Sequence, residues 1–200
     1  MKERERRTLN SEFRVEQRED GKKMIRGHAA VFNIETDLGW FRERIAPGAF
    51  TDSIGKDDVR ALFNHDSNYV LGRNTAGSLT MREDERGLYV EIDPPDTQFA
   101  RDLVTSIERG DISQMSFGFQ TLKDSWESNA EDESKDLRTL EKVKLWDVSP
   151  VTFPAYQETD VAVRSHDCWS QSQARPLKYK PFKTALLRRR LALIAGGSSR

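Results

Sequence analysis

Three side chains, far apart in the sequence, have the chemistry of an acyl-transfer site: a serine, a histidine and a carboxylate. Ser116 lies in the stretch Gln114-Met115-Ser116-Phe117-Gly118-Phe119-Gln120. Alternation along a strand puts Met115, Phe117 and Phe119 on one face and Gln114, Ser116, Gly118 and Gln120 on the other. The serine then stands on the polar face beside a glycine, where a substrate backbone could approach closely. The residues alone leave two readings open, a nucleophile or an exposed strand serine next to a bulge glycine. His65 closes the segment Val59-Arg60-Ala61-Leu62-Phe63-Asn64 and precedes Asp66. A histidine at a strand end can keep one ring nitrogen in solvent and the other hydrogen-bonded, as a general base requires. It can equally be a turn histidine capped by Asp66. His28, on the polar face of an earlier strand, and His166, near the C-terminus, compete for the role.

The carboxylate comes from Glu141-Lys142-Val143-Lys144-Leu145-Trp146-Asp147. Strict alternation puts Glu141, Val143, Leu145 and Asp147 on one face. An acid among apolar neighbours must find a partner or change its pKa. Asp147, flanked by Leu145, Trp146 and Val148, is the better candidate, and a strand-end salt bridge to Arg138 or Arg73 is the competing expectation. Other chemistries are poorly supplied. His166-Asp167-Cys168 offers three donors to a metal, but no second pair stands at a matching spacing. No glycine-rich loop suits a phosphate, and the acids between 124 and 136 lack a calcium-loop pattern.

These residues must be held by strands. Residues 24–32 alternate, with Ile25, Gly27, Ala29 and Val31 on one face and Arg26 and His28 on the other. Residues 40–45 and 59–65 read as two further strands, with a short helical stretch anchored by Phe50 and Ile54 between them and a turn at Asp66-Ser67-Asn68. Leu79 and Met81, then Leu88, Val90 and Ile92, form a hairpin around the loop 83–87. Residues 97–109 are the best helix: Phe99, Leu103 and Ile107 make a stripe, Ala100 and Val104 lie beside it, Asp96 or Thr97 can cap it, and Gly110 ends it. Residues 112–122, 140–148 and 151–163 read as strands, the last broken at Pro154, and the acidic stretch 124–136 as a mobile loop. The expected class is mainly β with helices (α+β), as a small barrel or a strongly curved sheet.

Composition bounds the setting. The chain has 200 residues, a net charge of −1 and 36% hydrophobic residues, which suits one domain with solvated extensions. We divide it into a charged N-terminal segment (1–23), a domain (24–165) and a basic tail (166–200), partly helical or disordered. The tail carries eight basic residues against one acid, so the remainder is net acidic and a poor general binder of nucleic acid. The single cysteine, Cys168, permits no disulfide within the chain. The first ten residues have no apolar signal region, and no apolar run approaches the roughly 18 residues of a spanning helix. A soluble, intracellular protein is expected.

Read in order, GHAAVFN, ERIAPGAF, LFNHD with LGR after it, GLYVEID, MSFGF and LWDVSPVTFPAY resemble the prohead (capsid maturation) serine proteases of tailed bacteriophages. The resemblance runs from Gly27 to Tyr156. It implies a small β-barrel surrounded by helices, distantly similar to the herpesvirus assembly proteases. It also implies an endopeptidase packaged in the procapsid within the host bacterial cytoplasm, cleaving the scaffolding part of the major capsid protein and then itself. The family histidine falls on His65, the family serine on Ser116 and the acid of the last motif on Asp147. Many relatives have Glu immediately before the valine of that strand, where this chain has Lys142 with Glu141 one place earlier. Glu141 therefore stays an alternative third member. No metal or organic cofactor is implied, nor a membrane or specific nucleic acid, and homo-oligomerisation is left open. Gly118 and Arg138 are the available candidates for oxyanion donors. A non-catalytic procapsid scaffold or assembly factor with the same fold is the alternative function.

Overall fold

The structure is a computed structural model and describes residues 4–9, 13–39, 41–128 and 136–153. The spine is β11 (Leu137–Val151), on which Leu140, Val143, Leu145 and Val148 are fully buried. It pairs antiparallel with β10 (Gln114–Glu127) along its whole length. On its other edge it takes two parallel partners in turn, β5 (Arg42–Ile45) near its start and β6 (Arg60–Phe63) near its end. Three more strands complete a seven-stranded sheet: β1 (Glu5–Leu9) beside β10, β4 (Thr36–Asp37) beside β5, and β7 (Asp66–Arg73) beside β6. A second, antiparallel sheet has the order β2 (Phe13–Gln17), β3 (Lys23–Val31), β9 (Gly87–Ile92), β8 (Leu79–Glu83). The helices are α1 (Thr51–Lys56) and α2 (Gln98–Glu108).

Apolar residues of both sheets form one core, to which α2 adds Ala100, Leu103, Val104 and Ile107. Each fully buried aliphatic side chain contributes about 1.5–3 kcal/mol, so this helical face is held mainly by burial. Thr97 takes the N-cap position without a side-chain cap bond, and Gly110 has the positive φ, 83°, expected past the helix end.

The mainly β class with helices holds. The expected closed barrel does not: among the described residues the pairing forms two sheets that do not close on each other. The pairing ends at β1, β4 and β7 in one sheet and at β2 and β8 in the other, so no ladder among these residues joins the two.

Four local expectations also change. The charged N-terminal segment supplies β1 and β2, so structure begins well before residue 24. Among its described residues, two charges are buried and partnered. Buried Glu5 and Arg7 join Glu43 and Arg138, with Arg7 Nε 2.6 Å from Glu43 Oε1 and Arg138 Nη1 2.9 Å from Glu5 Oε2. Asp66-Ser67-Asn68 opens β7 instead of forming the turn, which falls one step earlier at Asn64-His65. The acidic stretch is strand up to Glu127 because Asp124 binds Arg138 Nε at 2.7 Å and Trp126 packs edge-on against Phe41. The strand expected at 151–163 contributes Val151 to β11; residues from 154 onward, the tail with His166, Asp167 and Cys168 included, lie outside the described residues.

Candidate active site

Ser116 is fixed by what lies behind it. On the core face of β10, Phe117 stacks against Phe119 and meets Phe50 edge-on, with centroids 5.0 and 5.5 Å apart. Those rings hold the strand's parity, and Ser116 points the other way. Thr8 of β1 is its register partner on one side and Ser149 of β11 on the other. The polar face is not open, however. Ser116 is wholly buried, which sets aside the alternative of an exposed strand serine.

His65 is delivered by a two-residue turn. Phe63 pairs with Asp66, and the residues between them, Asn64 and His65, have φ of 53° and 58°. Positive φ at both central residues is what a tight hairpin of the type I′ kind requires, and Asn and His are among the side chains that tolerate it best. Asn64 also clamps the turn to the end of β11. Its N–H donates to the Pro150 carbonyl (3.0 Å), its Oδ1 accepts from the Thr152 N–H (2.9 Å), and its Nδ2 donates to Thr152 Oγ1 (3.2 Å). From there the imidazole reaches across β11, placing Nε2 2.7 Å from Ser116 Oγ and Nδ1 2.5 Å from Asp147 Oδ1.

Asp147 reaches this face through an irregularity. Gly118 pairs with Asp147, but the next residue, Phe119, pairs with Leu145, so Trp146 is an extra residue with no partner on β10. Directly opposed residues share a face, so this bulge turns Asp147 to the Ser116 side while Leu145 stays in the core. The expectation that Asp147 and Leu145 share a face is therefore overturned. The Leu145 N–H at the bulge donates to buried Ser53 Oγ of α1 (2.7 Å), which satisfies that backbone donor. Gly118 has a different use from the one expected. A Cβ built on it would lie 2.3 Å from Asp147 Oδ2, so the missing side chain is the space the carboxylate fills.

The other candidates lie elsewhere. Glu141 sits toward the other end of β11, its Oε2 2.5 Å from Lys123 Nζ, and hydrogen bonds from Lys123 and Ser125 hold its carboxyl below the usual range. Arg138 is absorbed by Glu5, Glu43 and Asp124. Arg73 pairs with Asp58, so neither arginine is the salt-bridge partner considered for Asp147. His28 belongs to the second sheet, with Nε2 3.0 Å from Asp84. Two residues of the site escaped sequence reasoning. Asn64 had a readable signal, an asparagine in a hairpin turn. Ser149, whose Oγ donates to Asp147 Oδ1 at 2.8 Å, had only its period-two spacing from Asp147.

A hydrogen-bonded run of carboxylate, imidazole and hydroxyl can transfer a serine proton to a ring nitrogen while the ring's other N–H is held by the carboxylate. The chain is similar to known phage proteases. The model of a family described as caudovirus prohead serine protease matches residues 11–173. The prohead protease of Enterobacteria phage HK97 is 31% identical over 147 residues, which are 72% of this chain and 61% of that protein. This chain thus matches less than two thirds of that relative's length. Among solved structures, the bacteriophage T4 capsid assembly protease gp21 is 14% identical, with a TM-score of 0.45 over 75% of this chain and 99% of that one.

Proposed function

The chain belongs to the caudovirus prohead serine protease family, and on that premise we propose that it is a serine endopeptidase acting inside the procapsid. Its substrate is the scaffolding part of the major capsid protein, and it also trims itself. The observation that carries the reading is the continuous contact Asp147 Oδ1–His65 Nδ1, His65 Nε2–Ser116 Oγ, at 2.5 and 2.7 Å.

The chemistry is acyl transfer in two halves. Asp147 accepts a hydrogen bond from His65 Nδ1–H, which leaves Nε2 with its lone pair toward Ser116. Ser116 Oγ attacks the scissile carbonyl carbon as its proton passes to Nε2. The imidazolium, stabilised by Asp147, gives that proton to the leaving amine, and the acyl group stays on Ser116. Water then repeats the sequence, losing its proton to Nε2 as it attacks the ester, and Ser116 is regenerated. His65 Nε2 carries the transferred proton in both halves, and Asp147 stays ionised. Because Ser116 has no exposed surface, peptide entry requires its cover to move aside.

Incubating the purified protein with capsid precursor tests the reading. Wild type cleaves it, Ser116→Ala does not, a serine-directed acylating reagent abolishes cleavage and a chelator leaves it unchanged. A wild type as inert as Ser116→Ala would instead make the protein a non-catalytic assembly factor.

A further inference from the structure

Ser149 is buried without exposed surface, two residues beyond Asp147 and directly across the ladder from Ser116. No bulge intervenes between 147 and 149, so Asp147, Ser149, Gly118 and Ser116 form a square on one face of two neighbouring strands. Asp147 Oδ1 accepts from both His65 Nδ1 (2.5 Å) and Ser149 Oγ (2.8 Å), while Oδ2 lies over Gly118. A carboxylate's terminal torsion is broad, with no steep staggered well to fix it. One donor and a glycine floor leave it free to swing; a second donor on Oδ1, arriving from the strand itself, fixes the plane. The proton of Ser149 goes to Asp147, so this hydroxyl does not compete with Ser116 for His65.

We infer that Ser149 is a positioning residue for the proposed reaction, holding the Asp147 carboxylate in the orientation in which Oδ1 receives His65 Nδ1–H. The inference rests on the protease reading above. It differs from a merely satisfied buried serine in what its loss does: the fold persists and the chemistry slows.

Ser149→Ala and Ser149→Thr test it, with fluorophosphonate labelling of Ser116 as the probe. In Ser149→Ala the maximal labelling rate falls about 10- to 100-fold, the range expected when a reacting group is slightly misplaced, and the half-saturating reagent concentration stays within about 2-fold. The acid limb of the pH–rate profile moves to lower pH, because a carboxylate that has swung out of place stabilises the imidazolium less. Ser149→Thr, which keeps the hydroxyl, restores rate and profile. Labelling of Ser149→Ala at the wild-type rate with an unmoved profile overturns the inference, as does a Ser149→Thr variant that folds but is as slow as Ser149→Ala. A readout independent of activity separates this from failure of the protease reading. The His65 Nδ1 proton gives a downfield NMR resonance in wild type and Ser149→Thr that exchanges with water at least about 10-fold faster in Ser149→Ala. An unlabelled wild type with that pattern rejects the protease and keeps the positioning role; unchanged exchange rejects the positioning role.

Discussion

Gly118 and Asp147 face each other across the β10–β11 ladder so closely that a Cβ on residue 118 would stand 2.3 Å from Asp147 Oδ2. The contact is with the tip of a side chain, so a methyl group there displaces the carboxylate and leaves the strands in place. Gly118→Ala is therefore expected to slow cleavage of capsid precursor about 100-fold or more while costing about 1–3 kcal/mol of stability. Paired measurements of cleavage rate and urea midpoint check it. A fully active Gly118→Ala enzyme would show that the carboxylate position is not critical.

Ser116→Ala and His65→Gln are expected to remain folded and to lose cleavage by several orders of magnitude, since the two act as a unit. His28→Ala is expected to retain it, because His28 is committed to Asp84 in the other sheet. Circular dichroism alongside the cleavage assay distinguishes lost chemistry from lost fold. Wild-type activity also falls on acidification, because a protonated imidazole cannot accept the serine proton.

Asp147→Asn is expected to impair cleavage by a factor of about 10³ or more, since an amide does not hold His65 in the required tautomer. Glu141→Gln weakens only its contacts to Lys123 and Ser125 and is expected to stay within about 2-fold of wild type. The ratio of the two rates, measured on one substrate, decides between the acids. A Glu141→Gln variant slower than Asp147→Asn would reverse the assignment.

The buried ion cluster predicts a dependence of stability on pH. Burial pushes the Glu5 carboxyl up, but the Arg138 and Arg7 guanidiniums more than offset this and hold it below its ordinary 4.5. A carboxylate depressed in the folded state contributes stability that is fully present above the unfolded pKa. That contribution is lost as pH falls through the lower, folded value. Denaturant midpoints are thus expected to fall below about pH 4.5 for wild type. Arg138→Met leaves Glu5 and Glu43 buried without that partner and is expected to cost about 3–5 kcal/mol at neutral pH. It also removes part of the acid dependence, because Glu5 is then less depressed. An unchanged midpoint in the variant would mean that the cluster is neutral to folding.

Much of this protein was legible as a string of residues. Alternation alone put Ser116 on the face opposite Met115, Phe117 and Phe119, and the stripe of α2 gave a helix within a residue at each end. Both follow from local geometry, in which a period of two or of 3.6 maps sequence onto faces. The ordered motifs from Gly27 to Tyr156 were specific enough to indicate the family. What alternation could not give was anything that depends on a partner strand. Whether Trp146 is in register or bulged is decided by β10 and by Ser53, and on that one irregularity depends which face Asp147 takes. Likewise Glu5 and Arg7 read as solvated charges until Glu43 and Arg138 arrive from other strands to neutralise them. Burial, register and charge pairing are properties of two segments at once, so only the tertiary structure decided them.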